Sequence, residues 1–231
     1  MTPGCAENGS ETLALTSVST VRAVVAMNLG LACLFVPTPL SFLLAYPFER
    51  TSYSAAAFLF AFTHNALAIA GTWAIIRFLL KQRPGVYGLG GPVLCLRWAV
   101  AAFIVPAVCV GLIPLAVPGG WQAPGTGREP VDVVVGLIIY TGMFGSIVEE
   151  VVFHGLMYPL MKKWLSPWWS AVVTGVVFAV AHMTRGGWTP LSAACFMFTA
   201  TALAIYFAYV VEDSGSVWSA AWGHIVWNIA L

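Results

Sequence analysis

The stretch that decides the reading is "GSIVEEVVFHGLMYPL", Gly145 to Leu160. It lies in one of the most apolar parts of an apolar chain, yet it holds adjacent carboxylates, Glu149 and Glu150, and a histidine four residues after the second. An ionisable group at membrane depth costs about 2.5–3.5 kcal/mol even on lenient insertion scales, so it faces a cavity or a partner. Successive helical residues point about 100° apart, so the two carboxylates cannot share a direction. Glu150 and His154, at i and i+4, share a face and can pair. Glu149 is left to aim elsewhere.

The surroundings make this a membrane question. Of 231 residues, 60% are hydrophobic and 8% charged. Soluble domains carry roughly 25% charged residues, and so few charges cannot cover a water-facing surface. A net charge of +1 provides no basic patch for phosphates and excludes nucleic acid as a partner. The fold expected is an all-α polytopic transmembrane bundle of about seven helices. The uncharged runs are Val21–Tyr46 (bent by Pro37 and Pro39), Tyr53–Leu80, Pro92–Val117, Val131–Met161, Pro167–Met183, Pro190–Val211 and Ser216–Leu231. Residues 1–20 lack a basic region ahead of an apolar core and read as a short mobile tail, with residues 21–231 forming one transmembrane domain. Arg22, Arg77, Lys81, Arg83, Arg97, Lys162 and Lys163 gather on one side of that topology, against Arg50, Arg128 and Arg185 on the other. The imbalance places the N-terminus in the cytoplasm of a multi-pass cell-membrane protein, the lipid bilayer being its first partner. Trp164, Trp168, Trp169, Trp188 and Trp218 fall near helix ends and read as interfacial anchors. Five cysteines without CxxC spacing read as packing residues.

Three more polar groups interrupt the apolar helices. "FAVAHM" places Phe178 and His182 one turn apart, and "WGHIVWNIAL" places His224 and Asn228 on one face. "FTHNA" adds His64 and Asn65, which read as interhelical hydrogen-bonding groups. Depth ties the first two to the glutamates. Glu149 precedes Lys162 by 13 residues and His182 follows Pro167 by 15. Both therefore lie roughly 20 Å from the same turn. Asn228, 12 residues after Ser216, lies roughly 18 Å deep, with His224 a turn shallower. A carboxylate and an imidazole around a water make a general-base pair, and a second histidine with an amide can stabilise an oxyanion. Peptide hydrolysis needs those parts. Glutamate with two histidines also resembles a catalytic zinc set, although the HExxH and ExxH spacings are absent.

The ordered motifs "EEVVFHG", "FAVAH" and "HIVWN" resemble the CPBP intramembrane proteases. These are the type II CAAX prenyl endopeptidases and their bacterial relatives, also called the Abi family, with the pattern EExxxR, FxxxH, HxxxN. The resemblance covers about Val131 to Leu231, and residues 131–231 would form the protease-like core. It implies an intramembrane endopeptidase acting on a membrane-associated or lipidated protein or peptide. By position, Glu149 resembles the family's water-activating glutamate, His182 its partner, and His224 with Asn228 the oxyanion pair. Glu150 resembles the second glutamate, supported by His154, and Phe178 the motif's phenylalanine. The resemblance favours a glutamate mechanism without metal, zinc being the less favoured alternative. Two features depart from the pattern: His154 stands where the family has arginine, and three residues follow Asn228. A titrating histidine in place of a permanent charge suggests a pH-sensitive Glu150–His154 pair. The rival readings are a non-catalytic scaffold or bacteriocin-immunity-like protein of the same fold, and a small proton-coupled transporter using the glutamates.

Overall fold

A computed structural model describes residues 17–49, 52–90, 95–116, 142–183 and 187–230, and all regular structure among them is helical. The helices are α1 (Thr20–Phe35), α2 (Pro37–Ala45), α3 (Tyr53–Ala74), α4 (Leu96–Ala116), α5 (Ser146–Val152), α6 (Tyr158–Met161), α7 (Pro167–His182), α8 (Pro190–Ser214) and α9 (Val217–Ala230). A π turn, Ile75–Leu79, prolongs α3, and another, Phe153–Met157, joins α5 to α6. Counting α1–α2 and α5–α6 as single passes, the described residues form the seven-helix bundle expected from the hydrophobic runs. The loop at 118–130 and the start of the fourth run, 131–141, lie outside the described residues.

The first pass breaks where the prolines fall. Val36 keeps helical angles and donates its N–H to the Ala32 carbonyl at 2.8 Å. Pro37 and Pro39 lack N–H groups, so the carbonyls of Cys33 and Phe35 lose their i+4 donors. The neighbouring helix helps at this bend: His64 Nε2 lies 3.0 Å from the Leu34 carbonyl oxygen. A carbonyl only accepts, so this nitrogen donates. The interhelical role read for His64 is present, and Asn65 instead donates to Ala61 in its own helix at 2.8 Å.

Close approach of α7 and α8 depends on a small residue. A Cβ on Gly175 would lie 3.0 Å from the Thr201 carbonyl oxygen and 3.2 Å from Ala204 Cβ. Small residues let membrane helices gain van der Waals contact backbone to backbone, where no hydrophobic driving force between them exists. At its C-terminal end α8 is pinned by charge. Glu212 accepts from Lys162 Nζ at 2.6 Å and from the Tyr158 hydroxyl at 3.1 Å. Asp213 pairs with Arg97 and accepts from Trp98 Nε1 at 2.6 Å. Arg97 and Lys162, assigned to one side by their charge, therefore do meet at one end of the bundle. Gly215, at φ +66°, ends α8, and the Val217 N–H starts α9 by donating to the Gly88 carbonyl at 3.1 Å.

The outside of the bundle is apolar. Leu96, Phe198 and Leu191 are 78%, 77% and 75% exposed, a surface suited to lipid and not to water. Thr20–Phe48, Tyr53–Leu79 and Pro190–Ser214 are long and apolar enough to cross a membrane, and Leu96–Val108 and Pro167–His182 are shorter apolar helices. The protein is a membrane protein.

Of the tail read at residues 1–20, residues 1–16 lie outside the described residues, and residues 17–20 contact the bundle. Val18 is buried in the core, Gln82 donates to Ser17 at 3.1 Å, and Ser19 caps α1. An apolar residue ahead of the cap gains more from burial than from freedom. Trp164, Trp168, Trp169 and Trp188 are exposed, as interfacial residues should be, whereas Trp218 is half-buried with its indole N–H inside the protein. Starting a helix that packs on α4 and α5, it is turned inward. Cys33, Cys95 and Cys195 are free thiols.

Gly175→Val should cost about 1–3 kcal/mol by overpacking against a carbonyl that cannot retreat. Gly111→Ala is the control, because a Cβ there meets nothing within 4 Å. Thermal unfolding in detergent should show a clear loss for the first and none for the second; equal midpoints would refute the close-packing account.

Candidate active site

The glutamates sit on α5 between two π turns, one over residues 142–145 and one over Phe153–Met157. Such local widening re-aims side chains and occurs often at functional sites. Glu150 points into the bundle and is 0% exposed, whereas the Glu149 side chain is 22% exposed and lines a cavity of about 690 Å³. The 100° offset expected from sequence separates one buried carboxylate from one accessible carboxylate.

Glu150 lies between two imidazoles. Its Oε1 is 2.8 Å from His224 Nδ1 on α9, and its Oε2 is 2.7 Å from His154 Nδ1 one turn on. The second approach lies off the ring N–H direction, making it an ion-pair contact in place of an aligned hydrogen bond. On the far side of its ring, His154 Nε2 is 2.9 Å from the Ala204 carbonyl oxygen of α8. That carbonyl can only accept, so Nε2 carries a hydrogen. The ring's Nδ1 is left to face the carboxylate, so His154 holds Glu150 on one side and the α8 backbone on the other.

The same argument orients His182. Its Nδ1 lies 2.9 Å from the Phe178 carbonyl one turn back and donates to it. In the neutral ring Nε2 is then an acceptor, and it faces Glu149 Oε1 at 3.3 Å. His224 donates Nδ1–H to the Glu150 carboxylate and presents Nε2 to Glu149 Oε2 at 3.7 Å. Phe178 wedges the cluster, with ring centroids 4.4 Å from His182, 5.1 Å from Phe153 and 6.1 Å from His224. Phe207 stacks on His224 at 5.1 Å and 25°. Asn228 Nδ2 donates to Ser146 Oγ at 3.0 Å, holding the amide beside the cavity.

The structure thus brings Glu149, His182, His224 and Asn228 to one cavity, with Glu150 and His154 behind them. Helical spacing groups His224 with Asn228, and the packing of α9 on α5 also sets His224 between the two glutamates. Sequence reasoning passed over Ser146, a polar residue one turn before Glu150, and the Ala204 carbonyl, which carries no side-chain signal. Among the described residues no group of three or more His, Cys, Asp or Glu side chains is disposed to hold a metal ion.

A carboxylate and an imidazole at a cavity can activate a water, and an amide beside them can meet an oxyanion. Residues 131–230 match the family described as type II CAAX prenyl endopeptidase Rce1-like. The matched span coincides with the Val131–Leu231 segment whose motifs resemble the CPBP proteases. By that description the family is one of CAAX prenyl endopeptidases, and the match covers the C-terminal part of the chain. No curated protein and no solved structure matches the chain. Leu34, Phe35, Thr38, Phe60, His64 and Asn65, all N-terminal to the matched span, complete the cavity.

The geometry at His154 predicts a stability effect. His154→Ala removes one of the two imidazoles that hold the buried Glu150 carboxylate. It should cost about 3–5 kcal/mol, the penalty for breaking a buried pair, read as a lower unfolding midpoint in detergent. An unchanged midpoint would show that His154 does not hold Glu150.

Proposed function

We propose that the protein is an intramembrane endopeptidase of the cell membrane that hydrolyses a peptide bond within the bilayer, with water activated by Glu149 and His182. The observation that carries this reading is the pair of acceptors, Glu149 Oε1 and His182 Nε2, 3.3 Å apart at the cavity. One water can donate a hydrogen to each. Its oxygen lone pairs are then turned to an electrophile in the cavity, the posture of a nucleophile. Glu149 takes the proton as oxygen attacks the carbonyl carbon of the scissile bond. The developing oxyanion is met by the Asn228 amide, which Ser146 orients, and by His224 Nε2 when that ring carries both protons. Breakdown of the tetrahedral intermediate breaks the C–N bond, and the proton held by Glu149 passes to the leaving amine. His154 and Glu150 take no part in bond exchange. Glu150 positions His224, and His154 holds Glu150.

Two features favour this reading over the rivals. A transporter using the glutamates as a relay needs no amide beside them, and here Asn228 is held at the cavity by a dedicated serine. A scaffold needs no accessible carboxylate, and Glu149 is turned to the cavity at the expense of burial. The substrate is a membrane-associated or lipidated protein or peptide. Orientation follows the basic residues, with the Arg97 and Lys162 end cytoplasmic.

The test is cleavage of a library of membrane peptides by purified full-length protein in bicelles. Glu149→Gln and His182→Ala should each lower kcat by about 10²–10⁴-fold, the range of general-base catalysis, with the fold intact by circular dichroism. No cleavage by wild type at any pH, with or without zinc, would favour the scaffold. Chelation should leave activity unchanged; loss on chelation with recovery on added zinc would overturn the metal-free step.

A further inference from the structure

The cavity has two unlike walls. The wall from α5, α7 and α9 carries the reacting groups. Another part of the lining comes from the α1–α2 bend and α3, outside the Rce1-like span, and its polar groups have no part in the chemistry above. The Phe35 carbonyl has no i+4 donor, because residue 39 is proline. Asn65 is 5% exposed, its Nδ2 is committed to Ala61, and its Oδ1 is buried with no partner among the described residues. A buried acceptor left unpaired costs about 1–3 kcal/mol, which an arriving donor would recover. His64, its Nε2–H committed to Leu34, keeps in the neutral ring an acceptor at Nδ1.

This wall therefore offers acceptors, and among the described residues lining the cavity Glu149 is the only carboxylate and there is no lysine or arginine. A ligand that complements it needs uncharged N–H donors spaced along an apolar body. An extended peptide backbone with apolar side chains has that chemistry. A helical segment does not, since its N–H groups are already bonded to its own carbonyls. A lipid chain has no N–H at all. Irregular backbone at membrane depth is tolerated only where protein satisfies its polar groups.

We propose that the α1–α2 bend and α3 form a backbone-binding wall, which takes an apolar peptide segment as an unwound, extended chain by accepting its N–H groups at the Phe35 carbonyl and Asn65 Oδ1. The inference rests on the endopeptidase reading and adds the substrate conformation that the site selects. Pro39 acts as a positioning residue: by withholding an N–H it keeps the Phe35 carbonyl available.

The experiment measures binding apart from cleavage. Full-length Glu149→Gln protein in bicelles is titrated with a fluorescent apolar peptide and with a set of analogues in which one backbone N–H at a time is replaced by ester oxygen. At least one ester should bind about 5-fold more weakly than the amide, the equivalent of one net hydrogen bond. Pro39→Ala supplies the missing helical N–H. It should raise the Kd of the amide peptide about 5-fold, abolish the amide–ester difference at that position, and leave the unfolding midpoint equal or higher. Asn65→Leu should abolish discrimination at a different position. Equal binding of all esters and amides, as for a cavity that takes a lipid chain, would overturn the proposal, and so would an unaltered Kd in Pro39→Ala. If this binding pattern holds while wild type cleaves nothing, the wall stands and the endopeptidase reading alone falls.

Discussion

Glu150 is a carboxylate with no exposure in the middle of an apolar bundle, and the arrangement of the site depends on how it is held. An unpaired buried charge is intolerable, and removing one partner of a buried pair costs about 3–5 kcal/mol. Here two imidazoles from different elements converge on the two oxygens, one from the following π turn and one from α9. His154 in turn reaches the backbone of α8. One carboxylate thereby ties α5, α8 and α9 together. His224, fixed on one side by Glu150, has its other nitrogen aimed at Glu149. The buried acid sets the geometry in which the accessible acid works.

Histidine at position 154 does this differently from arginine. Arginine donates through a planar fork and never loses its charge. Histidine has two ring nitrogens, and here both are committed, one to a carboxylate and one to a carbonyl. The π turn that contains His154 is part of the solution, since the longer turn lets a side chain bond forward and back between two helices.

The cavity joins two parts of the chain with different relations to the known family. The reacting groups come from the C-terminal helices, within the matched span. Another part of the lining comes from the first helices, where prolines and two polar residues interrupt the apolar pattern. A protease in lipid must both activate water and satisfy the backbone of what it cuts; under the reading proposed above, those tasks fall to different walls.

Much of this was legible in the sequence because a membrane simplifies the code. In lipid a long apolar run spans as a helix that satisfies its own backbone, so run length gave the seven passes, and each polar residue inside a run announced a candidate site. Rise per residue then put Glu149, His182, His224 and Asn228 at one depth without any knowledge of packing. The 100° offset separated Glu149 from Glu150. Rotation and neighbour identity were not legible, because spacing along one helix says nothing about which helix stands opposite. Only packing decided that His224 bonds Glu150, that Ser146 holds Asn228, and that His154 closes on Ala204. It also decided that Phe35, His64 and Asn65 belong to the same cavity. Composition and periodicity fix depth, but convergence of side chains from α3, α5, α7 and α9 is a property of three-dimensional contact, and a backbone carbonyl such as that of Ala204 leaves no trace in the residue names.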